Sequence, residues 1–319
     1  GSDLKIFHNG SNSQINDLST GNLQLLSNGA GIDLMKTDGE YLGRFYTDGR
    51  VDLYCDNAVK LTTASTGVEI GASGVNSTIK THSAGTSNLT LGVNAGNTIE
   101  SGGNYNVAVG DEAGTAITTG DSNTLVGYAA GDAVTTGTVN VAVGHDAGGA
   151  LTSGGGHVLI GYQAGAAVVS NHDCVGVGKW AGTTATSGNW TAIGFQALKA
   201  QTDGDANVAV GYNAGLAITT GDGNVVVGYA AADALTTGGA NVAVGRNALG
   251  AQTTASDNTA VGDHAGASMT TGAGNAAFGQ AALDVCTTGA ANTALGQNAL
   301  GACTEGGDNT AIGNNALDA

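Results

Sequence analysis

The sequence predicts an all-β fold, an elongated parallel β-solenoid or β-roll of fourteen 17-residue repeats preceded by a small all-β module. Three observations carry that prediction. A glycine closing a short apolar run recurs fourteen times from Gly92 to Gly313, and eleven of the thirteen intervals are 17 residues. The residues around this anchor follow one template, with apolar, mostly β-branched residues before it and an alanine three residues after it in every copy. The first 75 residues lack the template and alternate short apolar stretches with Asn-Gly, Thr-Gly and Asp-Gly turn signals. The expected organisation is an N-terminal module over 1–75, a linker over 76–87 rich in Gly, Ser and Thr, and the repeat solenoid over 88–319.

Within a repeat, the segment before the anchor, such as Asn207-Val208-Ala209-Val210, has the composition of a strand. The large residues one and three places before the anchor share a face by the two-residue period and are expected to point into the core. The residue between them, mostly Ala as at Ala108, Ala142 and Ala243, then has no polar cover. An apolar second face predicts close approach of another chain, and so an oligomer. After the anchor, a Gly at the fourth place goes with a large residue at the seventh, as in Gly114 with Ile117 and Gly215 with Ile218. A Leu at the fourth goes with a smaller or polar residue, as in Leu198 with Gln201 and Leu283 with Cys286. Such reciprocity predicts one pocket of fixed volume shared by two positions. Spacings of three, four and seven suit a brief helical or irregular segment.

The Thr-Thr-Gly corners, as at 219–221, are expected to use glycine for positive φ and threonine hydroxyls for backbone hydrogen bonds. Asn opens the strand in eleven copies, which predicts an amide ladder along the stack. The three departures, His157, Cys174 and Trp190, are consecutive and flank the 16-residue interval from Gly178 to Gly194, with Trp180 among them.

Composition narrows the function. With 56 Gly, no Pro and 4% aromatics in 319 residues, the chain lacks the bulky apolar content of two globular cores. A net charge of −17 disfavours nucleic acid. No apolar run approaches the roughly 18 to 20 residues that span a bilayer, and no signal peptide opens the chain, so no membrane insertion is expected. Gly1-Ser2 without an initiator Met has the look of a cloning or protease scar, so the natural chain is expected to extend further. The four cysteines lack zinc-site spacing. Cys286 and Cys303 lie one repeat apart, which leaves both buried thiols and a bridge open.

The acidic residues scatter over different repeat positions, so the chain is not read as an enzyme and no catalytic residue is assigned. His145-Asp146, His172-Asp173 and Asp263-His264 would ligate metal only if adjacent coils aligned them, and otherwise form solvated surface; no metal and no cofactor are expected. The place after the anchor is the most variable, which implies exposure. Tyr212 and Tyr229 fall there on neighbouring coils, and Tyr128 and Tyr162 two coils apart. With Trp180 and Trp190 they form the candidate glycan-contact set, aromatic faces being good partners for a sugar ring. Ice binding by threonine is disfavoured, since adjacent threonines on an extended chain point to opposite sides.

The opening Asp3-Leu4-Lys5-Ile6-Phe7-His8-Asn9-Gly10-Ser11-Asn12-Ser13, together with Asp48-Gly49-Arg50-Val51-Asp52-Leu53-Tyr54-Cys55-Asp56-Asn57, is similar to fibre-like structural proteins of marine tailed bacteriophages. The repeats, written Asn-Thr-Ala-Leu-Gly-Gln-Asn-Ala-Leu at 292–300, resemble those upstream of intramolecular chaperone domains in tail fibre and tailspike-type proteins. More distantly they resemble the left-handed β-roll heads of trimeric autotransporter adhesins, whose repeat is usually shorter. The resemblance implies a homotrimer, often with a self-cleaving chaperone after the repeats, and carries over no catalytic residue. The expected function is a structural segment of a virion tail fibre, extracellular, with host cell-surface polysaccharide as a further partner. A bacterial trimeric surface adhesin is the alternative, and a polysaccharide depolymerase ranks third.

Overall fold

The computed structural model describes residues 4–8, 13–17, 25, 29–56, 58–64, 67–70, 85–170, 173–186 and 188–318. The chain divides into two compact units, 1–79 and 80–319. The described residues are all β, with no helix among them. The expected linker lies outside the described residues except for 85–87.

The first unit holds an antiparallel pair, β1 (Leu4–His8) with β2 (Ser13–Asp17), and a five-stranded antiparallel meander. The meander runs β3 (Gly31–Met35), β4 (Tyr41–Tyr46), β5 (Val51–Cys55), β6 (Ala58–Ala64) and β7 (Gly67–Ile70). Two of its turns repeat one chemistry. In each, an Asp carboxylate accepts from the backbone N–H two residues on, Asp38 from Glu40 and Asp48 from Arg50, and the following Gly39 or Gly49 takes φ near +90°. The stretch at 22–24 and the turns Asn9-Gly10 and Thr20-Gly21 lie outside the described residues.

The second unit is one parallel sheet of fourteen strands, from β8 (Leu89–Leu91) and β9 (Val107–Val109) to β21 (Thr310–Ile312), in which sheet order equals chain order. Repeats stack in register, so Val141 lies opposite Val158 and Ala142 opposite Leu159. At a strand spacing of about 4.8 Å the stack extends roughly 62 Å. The anchor glycines form a column. Each has φ between 126° and 144°. From Gly92 to Gly296, a Cβ would stand 2.2 to 2.6 Å from the carbonyl oxygen of the next anchor.

Three expectations are corrected or narrowed. First, the strand faces are reversed. The residue two before the anchor, Ala in most coils, lies fully buried inside its own coil, as at Ala142, Ala209 and Ala243. The bulky residues on either side of it face outward. The reason is the width of the coil: a Cβ added at Gly148 would already be 3.8 Å from the Cβ of Ala142 across the interior. That gap admits one carbon contact in this coil, whereas Leu125, Leu159 and Val226 fill the equivalent place in three others. Second, of the helical or irregular segment expected after the anchor, the structure shows the irregular form. After Gly211, the N–H of Ala214 donates to Gly211 and that of Leu216 to Asn213, giving two successive turns with Asn213 and Gly215 at φ 55° and 58°. Positive φ at the third residue of each makes them type II turns. Third, the Thr-Thr-Gly glycine has no positive φ. At Gly221 a Cβ would stand 2.3 Å from the oxygen of Gly238, so glycine is there for axial approach.

Other expectations hold. The first Thr of each corner donates its hydroxyl to the coil above, as Thr219 does to the Thr236 carbonyl at 3.2 Å. The buried asparagines form the ladder: Asn224 Oδ1 accepts from the N–H and the Nδ2 of Asn241, both at 3.0 Å, while Asn224 Nδ2 donates to Gly238 O at 3.0 Å. The shared pocket is also present. A Cβ at Gly215 would meet Ile218 Cδ1 at 2.9 Å and Leu198 Cδ2 at 3.1 Å, and one at Gly266 would meet Met269 Sδ at 2.8 Å. A third participant enters where the strand carries leucine inward, since a Cβ at Gly114 would meet Leu125 Cδ1 at 2.8 Å. Cys286 and Cys303 are free thiols, and burial, then the neighbouring Cys303, pushes the Cys286 thiol up to about 11.

Candidate functional site

Two surface features run along the solenoid. The first follows from the reversed strand faces. Outward residues form two continuous columns across fourteen strands, one of them apolar in every copy, with Leu91, Ile160, Ile193, Phe278, Leu295 and Ile312 the most exposed large members. Strips of this kind are about 62 Å long and on the order of 10 Å wide, hence roughly 600 Å² per chain. That equals or exceeds the largest apolar patch of an ordinary monomer and approaches one side of a standard protein interface.

The second feature is a ladder of seven rings on successive coils: Tyr128, His145, Tyr162, Trp180, Phe195, Tyr212 and Tyr229. Six of them occupy the place after the anchor, and Trp180 occupies the next one. Because coils repeat at the strand spacing, equivalent rings must stack. Phe195 and Tyr212 lie 5.0 Å apart at 15°, and Tyr212 and Tyr229 5.1 Å apart at 7°. Near-parallel rings this close cannot lie side by side in one plane without collision, so their faces overlap. Tyr212, covered on both faces and 45% exposed, therefore shows edge and hydroxyl to solvent, while Tyr229, the last ring and 56% exposed, is stacked on one face only. A platform of two adjacent ring faces is not formed at these residues, because the facing sides of Tyr212 and Tyr229 are stacked on each other.

Trp180 interrupts the stack. Its plane stands at 80° to Tyr162 and 55° to Phe195. The indole N–H donates to Gln163 Oε1 at 3.0 Å, and Gln163 Nε2 donates to Asp146 Oδ2 at 3.0 Å, which pins the ring. Lys179 Nζ lies 4.1 Å and Lys199 Nζ 5.0 Å from the indole, and Lys179 Nζ is also 5.5 Å from the Tyr162 ring. At the ends the ladder passes to charged residues. Glu112 raises the Tyr128 hydroxyl above its ordinary value by hydrogen bond and charge. Beyond Tyr229, Arg246 and Asp263 form a two-bond pair at 2.9 Å each, which holds the Asp263 carboxyl below its usual range.

Of the six candidate glycan contacts, five belong to the ladder: Tyr128, Tyr162, Trp180, Tyr212 and Tyr229. Trp190 does not. It is 2% exposed and fills the interior beside Gly176 and Gly182, where a Cβ at Gly182 would fall 2.4 Å from its ring. Occupying the Asn place, its side chain points inward with that column. His145 and Phe195 join the ladder although only tyrosines and tryptophans were singled out; their shared repeat position was the available signal. Of the candidate metal pairs, Asp263 is engaged by Arg246, and His172 lies outside the described residues. Among the described residues no group of three or more His, Cys, Asp or Glu side chains could hold a metal ion.

Fold and surface together define a single-sheet β-solenoid repeat protein with an outward apolar sheet face and an aromatic ladder. Compared with protein-family models, curated proteins and solved structures, the chain has no match.

Proposed function

We propose that the chain is a structural segment of a bacteriophage tail fibre that associates as a homotrimer, with recognition of host cell-surface polysaccharide as a second task. The observation that carries this reading is the apolar sheet face. A lone chain leaves two columns of Val, Ile, Leu, Phe and Thr in water along the whole stack, and burying them against two copies of itself removes that cost. The face repeats at constant spacing and so matches a second copy better than it matches a globular partner. Three-fold closure comes from the resemblance to tail fibres and to trimeric adhesins.

Sedimentation equilibrium tests the association. A mass three times the 30.8 kDa chain is expected at micromolar concentration, and a monomer overturns the proposal. Val210→Glu with Val227→Glu, on the outward column of two adjacent strands, is expected to shift the mass toward monomer with the circular dichroism of the coils retained. A bacterial surface adhesin remains the alternative, because the same trimeric stem serves it. Genes for tail or for secretion components beside this one separate the two.

A further inference from the structure

We propose that Trp180, Lys179 and Lys199 form a recognition site for an isolated acidic group, a carboxylate or sulfate, on an otherwise neutral polysaccharide lying along the ladder. The inference rests on the glycan-recognition part of the proposed function and specifies its ligand.

The argument begins with the scarcity of positive charge. Among the described residues of the solenoid the only lysines and arginines are Lys179, Lys199 and Arg246. Arg246 is taken up by Asp263. The two lysines have no ion pair among the described residues, and both come to one indole, from successive coils. Two ammonium groups repel each other, and a chain of net charge −17 offers many acidic partners elsewhere. The indole face holds them by cation–π attraction, which leaves N–H donors free for an anion. Trp180 can do this because its ring is turned out of the stack and anchored through Gln163.

The flanks say what else the ligand carries. On both sides the ladder offers ring edges, the positive end of the aromatic quadrupole, together with tyrosine hydroxyls. These favour acceptor oxygens such as sugar hydroxyls over the apolar face of a pyranose. On one flank, two to four coils from Trp180, Glu112, Asp132 and Asp146 cluster near Tyr128, with Asp146 raising the Asp132 carboxyl after burial does. A densely charged polyanion would meet these carboxylates. One acidic group among neutral sugars would meet at most Asp146, whose carboxylate already accepts from Gln163, since Glu112 and Asp132 lie three to four coils away, more than about 8 Å, and are largely screened at physiological salt.

The test uses an oligosaccharide with one glucuronic acid among neutral hexoses and its carboxyl-reduced twin, titrated against the full chain by calorimetry. Trp180 fluorescence gives a second readout, the buried Trp190 being shielded from the ligand. The acidic sugar is expected to bind at least about tenfold tighter than its twin, and Lys179→Gln with Lys199→Gln is expected to erase that difference while binding of the twin persists. Three results overturn the inference: equal affinity for the two sugars, an acid preference that survives the double substitution, or no binding of either. A fourth does so as well, in which the double substitution lowers the oligomer mass at unchanged sugar affinity, since the lysines would then serve a neighbouring chain. The mass of the unmodified chain is read separately, so failure here leaves the trimeric fibre standing or falling on its own measurement.

Discussion

From Asn207 to Asn309 the asparagine column runs unbroken, buried as far as Asn292, whereas from His157 to Trp190 three successive coils do without it. The two regions keep the same sheet and register. They are held differently. In the regular region each buried amide satisfies the backbone of the coil above and a carbonyl of its own corner column. In the other, His157 Nδ1 accepts from the Cys174 N–H at 3.3 Å, the Cys174 thiol donates weakly to Gly188, and Trp190 substitutes volume for hydrogen bonds. Around Trp190 the neighbours shrink to match, with Gly176 where most coils have Ala and Ala185 where most have a large residue. What the repeat conserves is therefore the filled volume of the coil and the satisfaction of its backbone. Residue identity follows from those two.

The largest effect should come from forcing one region's solution onto the other. Trp190→Asn restores the repeat's usual residue, yet the interior around it is built for an indole. It is expected to destabilise the solenoid by about 3 to 5 kcal/mol, the range for emptying a large aromatic site. A rise in melting temperature would show that the asparagine ladder outweighs packing. Asn224→Ala makes the reverse case in the regular region. It leaves the Asn241 N–H and the Gly238 carbonyl without their partner, an expected loss of about 2 to 3 kcal/mol, readable by thermal unfolding and by faster hydrogen exchange at Asn241.

Packing alone is sharpened by the shared pocket. Gly215→Leu should cost roughly 1 to 3 kcal/mol by overpacking against Ile218, and adding Ile218→Gln should restore only part of it, because Leu198 of the coil below also lies 3.1 Å from the new Cβ. Positive φ does not forbid the change, as Leu198, Leu249, Leu283, Leu300 and Leu317 all take φ near 50° at that place. Additive losses in the double-mutant cycle would dissolve the pocket. The smallest effect concerns Asp132, whose carboxyl is raised above 3.8 by burial and then by Asp146. Its ionised form is the less favourable one in the fold, so Asp132→Asn should raise the melting temperature slightly at pH 7. The gain should vanish below pH 3.8, where folded and unfolded chains both carry the proton. A gain independent of pH would assign the effect to something other than charge.

Much of the ladder was legible before any coordinate. Tyr212 and Tyr229 recur one period apart, and a fixed period in a parallel stack forces them together. Their ring orientation was not legible, since it depends on the stacking distance of neighbouring rings. Trp190 was misplaced for a related reason: a large aromatic at a polar position looks exposed until Gly176, Gly182 and Ala185 are seen to make room for it.

By itself the sequence determined the period, the strand before each anchor, the amide ladder and the reciprocal pocket, because each rests on spacing along one chain or on identity at equivalent positions. Only the tertiary structure decided which face of the strand is inside. Alternation defines two faces and is silent on which one a coil encloses. The consecutive turns after the anchor bring Gly148 to within one carbon contact of Ala142, so in most coils the interior takes alanine there, with Leu125, Leu159 and Val226 the larger exceptions, and the bulky residues on either side are left outside, where they form the face from which association is proposed.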